Sequence, residues 1–398
     1  MQGADVVVVG GGIVGLSVAH ALRDRGVDVA VLESGTCGLG STAKATGGIR
    51  TQFGSEINVR MSLLALEHFR TWGERYGGDA AYRPVGYLFL ATTAAHLESQ
   101  RRGAELQRKL GARVDLLEPD EIARRLPGVV LDGVLGASFG PDDGLGDPGS
   151  AVTSLVSACR RRGVRVREQT PVTGLEMQGR RVTGVRTAGG TVPAGVTVLA
   201  TGAWTSPLAA TAGVDLPIAP HHRQVYRAAR TIGVPTPSPL VVDLGSGVYF
   251  HADGPGLVFG GGDRESEPSW DDRFRPDEAP RIIELLTRRL PAMLDAELSG
   301  GWAGLREMTP DDLGIVGPAP GGSGGPPPIG TGRGALPHQE RLEGLHVAAG
   351  FSGHGFMHAP AVGEIVASQL TGQAPPFDVS ALDPARFQGE VQAESYAF

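Results

Sequence analysis

The first 33 residues contain a strand, a glycine-rich turn, a helix and a second strand, and this unit limits the possible folds more than any other feature. Residues 4–9 form a short Val-rich run that is typical of a buried parallel strand. The turn GGGIVG occupies residues 10–15, and residues 16–25 show helical apolar spacing before Gly26. Residues 27–32 are apolar again and end at Glu33. This complete βαβ unit predicts a Rossmann-like sheet.

Three glycines of the turn have separate tasks in such a unit. Gly10 permits the tight turn, Gly12 lets a pyrophosphate approach the backbone, and Gly15 allows close packing of helix on strand. The helix N-terminus offers N–H groups to the phosphates. Glu33 is expected to accept hydrogen bonds from ribose hydroxyls. The unit therefore predicts a bound dinucleotide, without distinguishing FAD from NAD.

Composition argues against several other classes of protein. The net charge of −7 argues against a nucleic-acid binder. The sequence contains no run of about 18 apolar residues, so no membrane span is predicted. The N-terminus lacks the basic segment of a secretory signal. Cys37 and Cys159 are the only cysteines, so neither a disulfide framework nor a zinc site is expected, and no metal site is predicted. These features predict a cytoplasmic protein.

Two later glycine-rich segments favour FAD over NAD. The segment ATGAW at 200–204 follows an apolar strand and resembles a second FAD-contacting strand of flavoproteins. The segment AGFSGHGFM at 349–357 precedes a helix. The N-terminus of that helix is expected to stabilise negative charge on the N1–C2=O edge of a reduced flavin.

Together these segments resemble the D-amino-acid oxidase / sarcosine oxidase family of FAD-dependent amine oxidoreductases. The resemblance covers nearly the whole chain and is closest to the glycine oxidase, sarcosine oxidase β-subunit and proline dehydrogenase β-subunit branch. It implies hydride removal from the carbon next to an amine to flavin N5, and hydrolysis of the resulting imine. Its motifs are GGGIVG, GST at 40–42, GGIR at 47–50, ATGAW, WAGLREMTPD at 302–311 and AAGFSGHGFMHAP at 348–360.

The resemblance implies an α/β fold with two interleaved domains. A Rossmann-like FAD-binding domain would combine residues 1–85, 147–218 and 303–398. An α+β substrate domain, built on a mixed, mainly antiparallel sheet, would combine 86–146 and 219–302. Residues 318–343 are predicted to be a flexible Gly/Pro-rich insertion. The apolar spacing also predicts one long helix over 57–76.

Arg306 is the first candidate for substrate binding. The resemblance implies that the arginine of the WAGLR segment binds the substrate carboxylate, and guanidinium suits bidentate binding of that group. An internal ion pair with Glu307 or Asp311 is the alternative. Because an arginine stands here, the substrate is expected to be an amino acid, a small-molecule amine with a carboxylate.

Further candidates lie around the expected flavin. Arg50 would stabilise the reduced flavin or bind a carboxylate, with a solvated loop arginine as the alternative. His354 and Met357 belong to the second glycine-rich segment at the expected flavin edge, with simple packing as the alternative for Met357. Tyr249 and His251 lie on a predicted hairpin and would line the pocket over the flavin, or be ordinary sheet residues.

The predicted contacts of FAD come from all the matched segments. They are Gly10, Gly12, Ile13, Val14, Gly15, Glu33, Ser34, Ser41, Thr42, Lys44, Thr46, Gly47, Gly48, Val172, Ala200, Thr201, Gly202, Trp204, Gly350, Phe351, Ser352, Gly353, His354, Gly355, Phe356 and Met357.

Two absences affect the expected chemistry. Some family members attach FAD to a cysteine at the position of Gly304, so FAD is expected to be noncovalent here. Others use a substrate-domain lysine to activate O2, and Val258 stands at that position, so the electron acceptor is either O2 or another acceptor. Two alternatives stay open: an oxidoreductase for a 2-hydroxy acid or natural-product intermediate, and an FAD-binding subunit of a heteromeric dehydrogenase. A homo-oligomer or a partner subunit is compatible with either.

Overall fold

The fold is described from a computed structural model for residues 2–229, 234–262, 266–321, 341–388 and 394. In chain order the strands are β1 Ala4–Val9, β2 Val29–Leu32, β3 Gly48–Ile49, β4 Tyr87–Ala91, β5 Asp115–Leu117, β6 Gly136–Gly140, β7 Gly144–Leu145, β8 Arg165–Arg167, β9 Val172–Gln178, β10 Arg181–Thr187, β11 Gly190–Leu199, β12 Ala219–Ala228, β13 Leu240–Asp243, β14 Val248–Asp253, β15 Gly256–Gly261, β16 Leu298–Met308, β17 Ile315–Pro318 and β18 Leu345–Ala349. The helices are α1 Ile13–Asp24, α2 Glu56–Arg70, α3 Trp72–Tyr76, α4 Ala94–Lys109, α5 Pro119–Arg125, α6 Pro148–Arg161, α7 Thr205–Ala210, α8 Ala279–Thr287 and α9 Gly355–Leu370.

The first sheet brings together motifs that are far apart in the sequence. Its order is β17-β18-β11-β1-β2-β8, and the pairs from β18 to β8 are all parallel. Strands β1, β2, β11 and β18 therefore end at the same edge, where each is followed by a segment with a predicted cofactor contact. Ligands of open α/β sheets bind outside such carboxyl ends.

Helices cover one face of this sheet and form its largest core. Helix α1 packs against α9, and buried residues of α2 and α6 join the same cluster. A Cβ atom at Gly363 would lie 2.7 Å from the carbonyl oxygen of Ser17, so glycine permits the close crossing of α1 and α9. This packing fixes the N-termini of both helices relative to the sheet edge.

The second sheet has the order β16-β12-β15-β14-β13-β4-β6-β5. All of its neighbouring pairs are antiparallel except β13 with β4. Residues of α5 and α8 cover it with a separate apolar cluster. The predicted combination of a Rossmann-like sheet with a mixed, mainly antiparallel sheet is confirmed.

Several element boundaries differ from the sequence-based predictions. The helix predicted over 57–76 is two helices, α2 and α3, separated at Thr71, whose hydroxyl bonds the Glu67 carbonyl. Helix α9 begins at Gly355, within the glycine-rich segment predicted to precede it, and contains Pro360. Pro318 ends strand β17 and is not part of a loop.

The division into domains remains a prediction. The expected boundary between residues 302 and 303 falls inside β16, a strand of the second sheet. Most of the insertion predicted at 318–343 lies outside the described residues. At its described ends, Ala319 and Leu342 are buried and the Leu342 amide donates to the Ala319 carbonyl.

None of the helices in the described part of the chain is both long and apolar enough to cross a membrane. Over the same residues, no group of three or more His, Cys, Asp or Glu side chains is placed to hold a metal ion.

His346 makes the stability of the fold dependent on pH. Its Nε2 lies 2.8 Å from Gln369 Oε1, and burial lowers its pKa to about 4. Between pH 6.5 and about 4 the unfolded chain binds a proton that the folded protein does not, so stability falls as the pH falls. We expect H346Q to reduce the loss of unfolding free energy between pH 7 and pH 5 by about 2 kcal/mol. Urea unfolding at both pH values measures this, and an unchanged difference would contradict it.

Candidate functional site

A cavity of 860 Å³ lies between the carboxyl edge of the first sheet and one face of the second. Its wall includes residues from the turn after β1, the end of β2, the segment 34–50, the segment after β11 and the start of α9. The second sheet contributes residues of β4, β12, β13, β14 and β16. The lining residues thus extend along the sheet edge from the end of β2 to β18, as a dinucleotide requires.

The three glycines of the turn differ in what a side chain would meet. A Cβ atom at Gly10, whose φ is +106°, would lie 2.3 Å from the Ala200 carbonyl oxygen. At Gly15 it would lie 2.0 Å from the Gly10 carbonyl oxygen, so both glycines serve packing. At Gly12 only Thr42 Oγ1, at 3.3 Å, is near. Gly12 therefore leaves the space at the N-terminus of α1 open for a ligand, which fits the phosphates of FAD.

This difference leads to a prediction for G12A. Because the added methyl group would occupy the phosphate position without striking the backbone, we expect FAD affinity to fall at least tenfold in a folded protein. Flavin fluorescence during titration of the apoprotein measures the affinity, and circular dichroism checks the fold. The control G149A places its methyl group 3.4 Å from Asp147 Oδ1, outside the cavity. Equal affinities of G12A and G149A would contradict the prediction.

Glu33 is fixed by the backbone at the end of β2. One carboxylate oxygen accepts from the Gly11 amide at 2.7 Å, and the other from the Gly35 amide at 2.8 Å. Carboxylate oxygens can accept more than one hydrogen bond each. The geometry thus orients Glu33 in the cavity wall, where it can also receive the ribose hydroxyls of the nucleotide.

The short helical turn Ser41–Lys44 is tied to β16. Ser41 Oγ donates to the Leu305 carbonyl at 3.0 Å, and Trp302 Nε1 donates to the Lys44 carbonyl at 2.9 Å. A Cβ atom at Gly304 would lie 2.8 Å from Lys44 Cβ. The position at which relatives were expected to carry a flavin-linked cysteine is thus covered by the Lys44 side chain. Both cysteines of the chain are buried, and neither lines the cavity.

Arg50 is buried and organises the start of α9. Its Nη2 lies 3.1 Å from His354 Nε2, Nη1 donates to the Gln52 carbonyl, and Cζ lies 4.0 Å from the Phe53 ring centre. Since a guanidinium can only donate, His354 accepts at Nε2 and carries its hydrogen on Nδ1. The pKa of His354 lies well below its usual range, mainly because the side chain is buried and secondly because the positive charge of Arg50 lies beside it. The alternative of a solvated Arg50 is therefore wrong, and His354 is neutral.

Asp143 holds the backbone that carries Arg50. Its carboxylate accepts from the amide and hydroxyl of Thr51, both at 2.8 Å, and from Gln52 Nε2 at 3.0 Å. Burial raises the pKa of Asp143 to about 6, although these hydrogen bonds favour the anion. The result is a rigid segment after β3 that points Arg50 at the cavity.

Arg306 lies on β16 and lines the cavity beside Gly353 and Tyr249. A Cβ atom at Gly353 would lie 2.6 Å from Arg306 Nε, so glycine allows the guanidinium to lie against the loop. Burial lowers the pKa of Arg306, but an arginine remains charged. Neither Glu307 nor Asp311, the two carboxylates considered for an internal ion pair, forms an ion pair with Arg306. Asp311 pairs with Arg386 at 2.7 Å, and Glu307 accepts from the Phe351 amide at 3.3 Å.

One face of the second sheet closes the cavity. Tyr249 stands opposite Gly260 and Val242, and Arg223 stands opposite Gly304 in the register of β12 and β16. A Cβ atom at Gly260 would lie 2.6 Å from the Tyr249 hydroxyl, so the phenol lies across that glycine. The tyrosine and arginine side chains of this face give the cavity an aromatic and cationic roof.

Most predicted site residues are brought together in this wall. Those that line the cavity are Gly10, Gly12, Ile13, Val14, Glu33, Ser34, Ser41, Thr42, Lys44, Thr46, Gly47, Gly48, Arg50, Val172, Ala200, Thr201, Gly202, Trp204, Tyr249, Arg306, Gly353, His354, Gly355, Phe356 and Met357.

Five predicted residues do not line the cavity. Gly15 packs beneath Gly10, and Gly350 is covered by Thr309 and Ile218. Phe351 is buried in the core of the first sheet. Ser352 turns its hydroxyl to the Thr309 amide at 3.1 Å. His251 lies farther along β14, where its Nδ1 is 3.0 Å from the Ala252 carbonyl oxygen.

Some cavity residues on the second sheet are not among the predicted site residues. Tyr87, Arg223 and Val242 line the cavity but were not predicted. Strand alternation places Arg223 on the same face as Val225, which also lines the cavity, but it does not show which part of that face meets the cavity. Glu307 also lines the cavity. It was considered only as a partner of Arg306, because its contact with the 350–351 amides arises from chain segments more than 40 residues apart.

His221 and His222 form no metal site with the residues described. His221 Nδ1 lies 2.9 Å from Ser266 Oγ, and His222 Nε2 lies 3.0 Å from the Arg273 carbonyl oxygen. Val258, the position expected to bear a lysine in some oxidases, is buried in β15 away from the cavity wall.

Comparison with known proteins gives a consistent result. The family model of FAD dependent oxidoreductases, DAO, matches residues 5–369. The 4-methylaminobutanoate oxidase (formaldehyde-forming) of Paenarthrobacter nicotinovorans is 30% identical over 98% of this chain and 46% of its own length. The chain thus spans about half of that relative.

Solved structures match over almost their whole length. L-proline dehydrogenase from P. horikoshii has a TM-score of 0.86 and 32% identity, with 98% of this chain and 100% of that chain covered. Glycine oxidase from Geobacillus kaustophilus has a TM-score of 0.80 and 25% identity, with 97% and 99% covered. The fold is therefore shared with these two enzymes.

Proposed function

The chain belongs to the DAO family of FAD-dependent oxidoreductases, and on this premise we propose that it oxidises the C–N bond of an amino acid or N-alkyl amino acid. The names of its relatives support this substrate class, because they act on 4-methylaminobutanoate, L-proline and glycine. FAD is the cofactor of the family. We also propose that FAD is bound noncovalently. The amine substrate and the electron acceptor are to be identified by the experiment described below.

The observation that carries the proposal is the position of Arg306. It is a half-buried cation in the cavity wall, against the loop at Gly353 and in the same wall as Tyr249. The two carboxylates nearest to it in sequence, Glu307 and Asp311, bond elsewhere. A substrate carboxylate would bind Arg306 through two parallel hydrogen bonds. That anchor would hold the α-carbon of the substrate in the space between Tyr249 and the loop at Gly353.

FAD, when bound, supplies the acceptor for the hydride that leaves the carbon next to the amine. The chain itself positions the reactants: Gly12 and Glu33 hold the nucleotide end, and Arg306 orients the substrate. The neutral His354, held by Arg50, keeps its Nδ1–H at the cavity wall. The aromatic side chains of Tyr87 and Tyr249, which line the cavity, would exclude water from it. Such positioning supplies much of the rate of a direct transfer.

A substrate screen tests the function. The flavin-loaded protein is mixed anaerobically with glycine, sarcosine, proline and D-amino acids, and flavin absorbance is followed. Bleaching by at least one of these supports the proposal, whereas bleaching only by lactate or 2-hydroxyglutarate would replace it with oxidation of 2-hydroxy acids. Repeating the reaction with O2 and with an artificial acceptor then separates an oxidase from a dehydrogenase.

A further inference from the structure

Glu307 is a carboxyl group in the cavity wall that the proposed function does not use. It lies on β16 directly after Arg306. Its Oε1 accepts from the Phe351 amide at 3.3 Å, and the Gly350 amide also bonds this carboxyl group. Its Oε2 is shielded from solvent and has no hydrogen-bond partner among the described residues. One oxygen of the carboxyl group is thus hydrogen-bonded to the backbone, and the other has no partner among the described residues.

The unsatisfied oxygen is held close to glycines of two cofactor segments. A Cβ atom at Gly202, whose φ is +54°, would lie 3.0 Å from Glu307 Oε2. A Cβ atom at Gly355, the first residue of α9, would lie 3.7 Å from Oε1. Glu307 therefore lies at the N-terminus of a 16-residue helix, within the wall that receives the flavin. A buried oxygen without a partner favours a protonated carboxyl group.

The same helix N-terminus is the expected support for the N1–C2=O edge of the flavin. Reduction by hydride adds one negative charge to the flavin. A helix N-terminus supplies only about half a unit of positive charge, which does not compensate two neighbouring anions. In a buried site a second anion disfavours ionisation of the first. Glu307 and the reduced flavin therefore compete for one stabilising end of α9.

Other groups near Glu307 are poor proton acceptors. Arg306 and Lys44 carry positive charge already, and His354 uses Nε2 to accept from Arg50. His221 is bonded to Ser266 Oγ. The titratable and charged groups on the elements packed against Glu307 are Arg306 on β16, Lys44 in the turn 41–44, His221, His222, Arg223, Tyr226 and Arg227 on β12, His354 immediately before α9, and His358 and Glu364 on α9. Protonation of Glu307 at Oε2 breaks no bond to the described residues, because that oxygen has no hydrogen-bond partner among them.

We propose that Glu307 takes up one proton from solvent when the flavin in this cavity is reduced. The substrate carbon loses a hydride, so the flavin gains two electrons, one hydrogen and one negative charge. The Glu307 carboxylate gains a proton and becomes neutral, so the net charge at the N-terminus of α9 does not change. The inference rests on the proposed function only in assuming that the flavin edge lies at α9.

The pH range of the proton uptake follows from the protonation state of Glu307 before the flavin is reduced. Burial raises the pKa of Glu307 to about 7, against the opposing effect of the Phe351 and Gly350 amides. Below this pH the carboxyl group is protonated with oxidised and reduced flavin alike, so no extra proton is taken up. Above it the carboxylate is ionised with oxidised flavin and gains a proton on reduction. The extra proton uptake is therefore expected above about pH 7.

The test measures the midpoint potential of the bound flavin from pH 6 to pH 9, by titration with dithionite and redox dyes. Above pH 7 the potential of the wild-type protein should fall more steeply than that of E307Q, by one proton per two electrons. One pH unit is a tenfold change in proton concentration, equivalent to about 30 mV for a two-electron couple. Glutamine keeps a carbonyl for the Phe351 amide and removes only the titrating group.

A control variant and a second measurement make the result decisive. E343Q removes an exposed carboxylate that pairs with Arg181, and it should keep the wild-type slope. Infrared difference spectra of the wild-type protein should show the C=O band of a protonated carboxyl group on reduction, shifted in D2O. This measurement stands even if E307Q does not bind flavin. Equal slopes of wild type and E307Q, or absence of the band, would overturn the inference.

The outcome is separable from that of the proposed function. The potential and the infrared band are obtained with a chemical reductant, so they do not depend on the amine substrate. Failure of amines to reduce the flavin would remove the proposed function but leave the proton uptake measurable. Reduction by amines together with equal slopes would keep the function and remove the role of Glu307.

Discussion

Replacing Arg306 with methionine is expected to lower kcat/KM for the amino-acid substrate about 100- to 1000-fold. The substitution keeps the unbranched inner part of the side chain but leaves a buried substrate carboxylate without its ionic partner. Truncating one member of a buried charge pair costs about 3 to 4 kcal/mol, which corresponds to this factor. Steady-state kinetics with the best substrate of the screen provide the measurement.

A comparison of substrates distinguishes binding from folding. The matched amine without a carboxylate lacks the group that Arg306 would bind, so R306M should change its kcat/KM by less than tenfold. R306K keeps the charge but loses the planar fork, and it should recover only part of the activity. Equal losses for the amino acid and the amine would contradict carboxylate binding by Arg306.

Replacing Arg289 with methionine is expected to lower the free energy of unfolding by about 3 to 5 kcal/mol. Arg289 Nε lies 2.8 Å from Asp243 Oδ2, and both side chains are almost fully buried, at 7% and 4% exposure. Arg289 Nη1 also donates to the carbonyls of Val130 and Asp132. The variant would leave the Asp243 carboxylate buried without its cation and two carbonyls without their donor. Urea unfolding followed by circular dichroism measures the loss.

An exposed ion pair provides the control for this prediction. Arg102 and Glu98 pair at 3.3 Å on α4 with 68% and 53% exposure. E98Q should therefore change the unfolding free energy by less than about 1 kcal/mol. The double variant D243N/R289M should be less destabilised than the sum of the single variants, because it removes both charges. A loss for R289M no larger than that for E98Q would contradict the prediction.

The nucleotide end of the site could be predicted closely from the sequence. The βαβ unit of the first 33 residues appears as β1, α1 and β2, with Gly10, Gly12 and Glu33 in the expected wall. The reason is local: the strand, turn and helix are consecutive, and each glycine has a backbone task that its position already defines. The family, expected from motifs spread along the chain, is confirmed by the match over residues 5–369.

The substrate end was less predictable from sequence. His251 was expected in the pocket and lies outside it, whereas Tyr87 and Arg223 were not expected and line it. All three lie on strands, where alternation separates the two faces but does not show which part of a face meets the cavity. That part is set by the register of β14 with β15 and of β12 with β16. Such pairings join distant segments, so local patterns do not reveal them.

The sequence by itself determined the fold class, the cofactor family and the tasks of the glycines, because each motif that indicates them consists of residues adjacent along the chain. Only the tertiary structure decided the electrostatics. It buried Arg50 against His354, turned Asp311 to Arg386, and placed Glu307 at the amides before α9. The charge state of a buried group depends on desolvation and on partners within a few ångströms. Those partners come from segments that meet only when the two sheets close around the cavity.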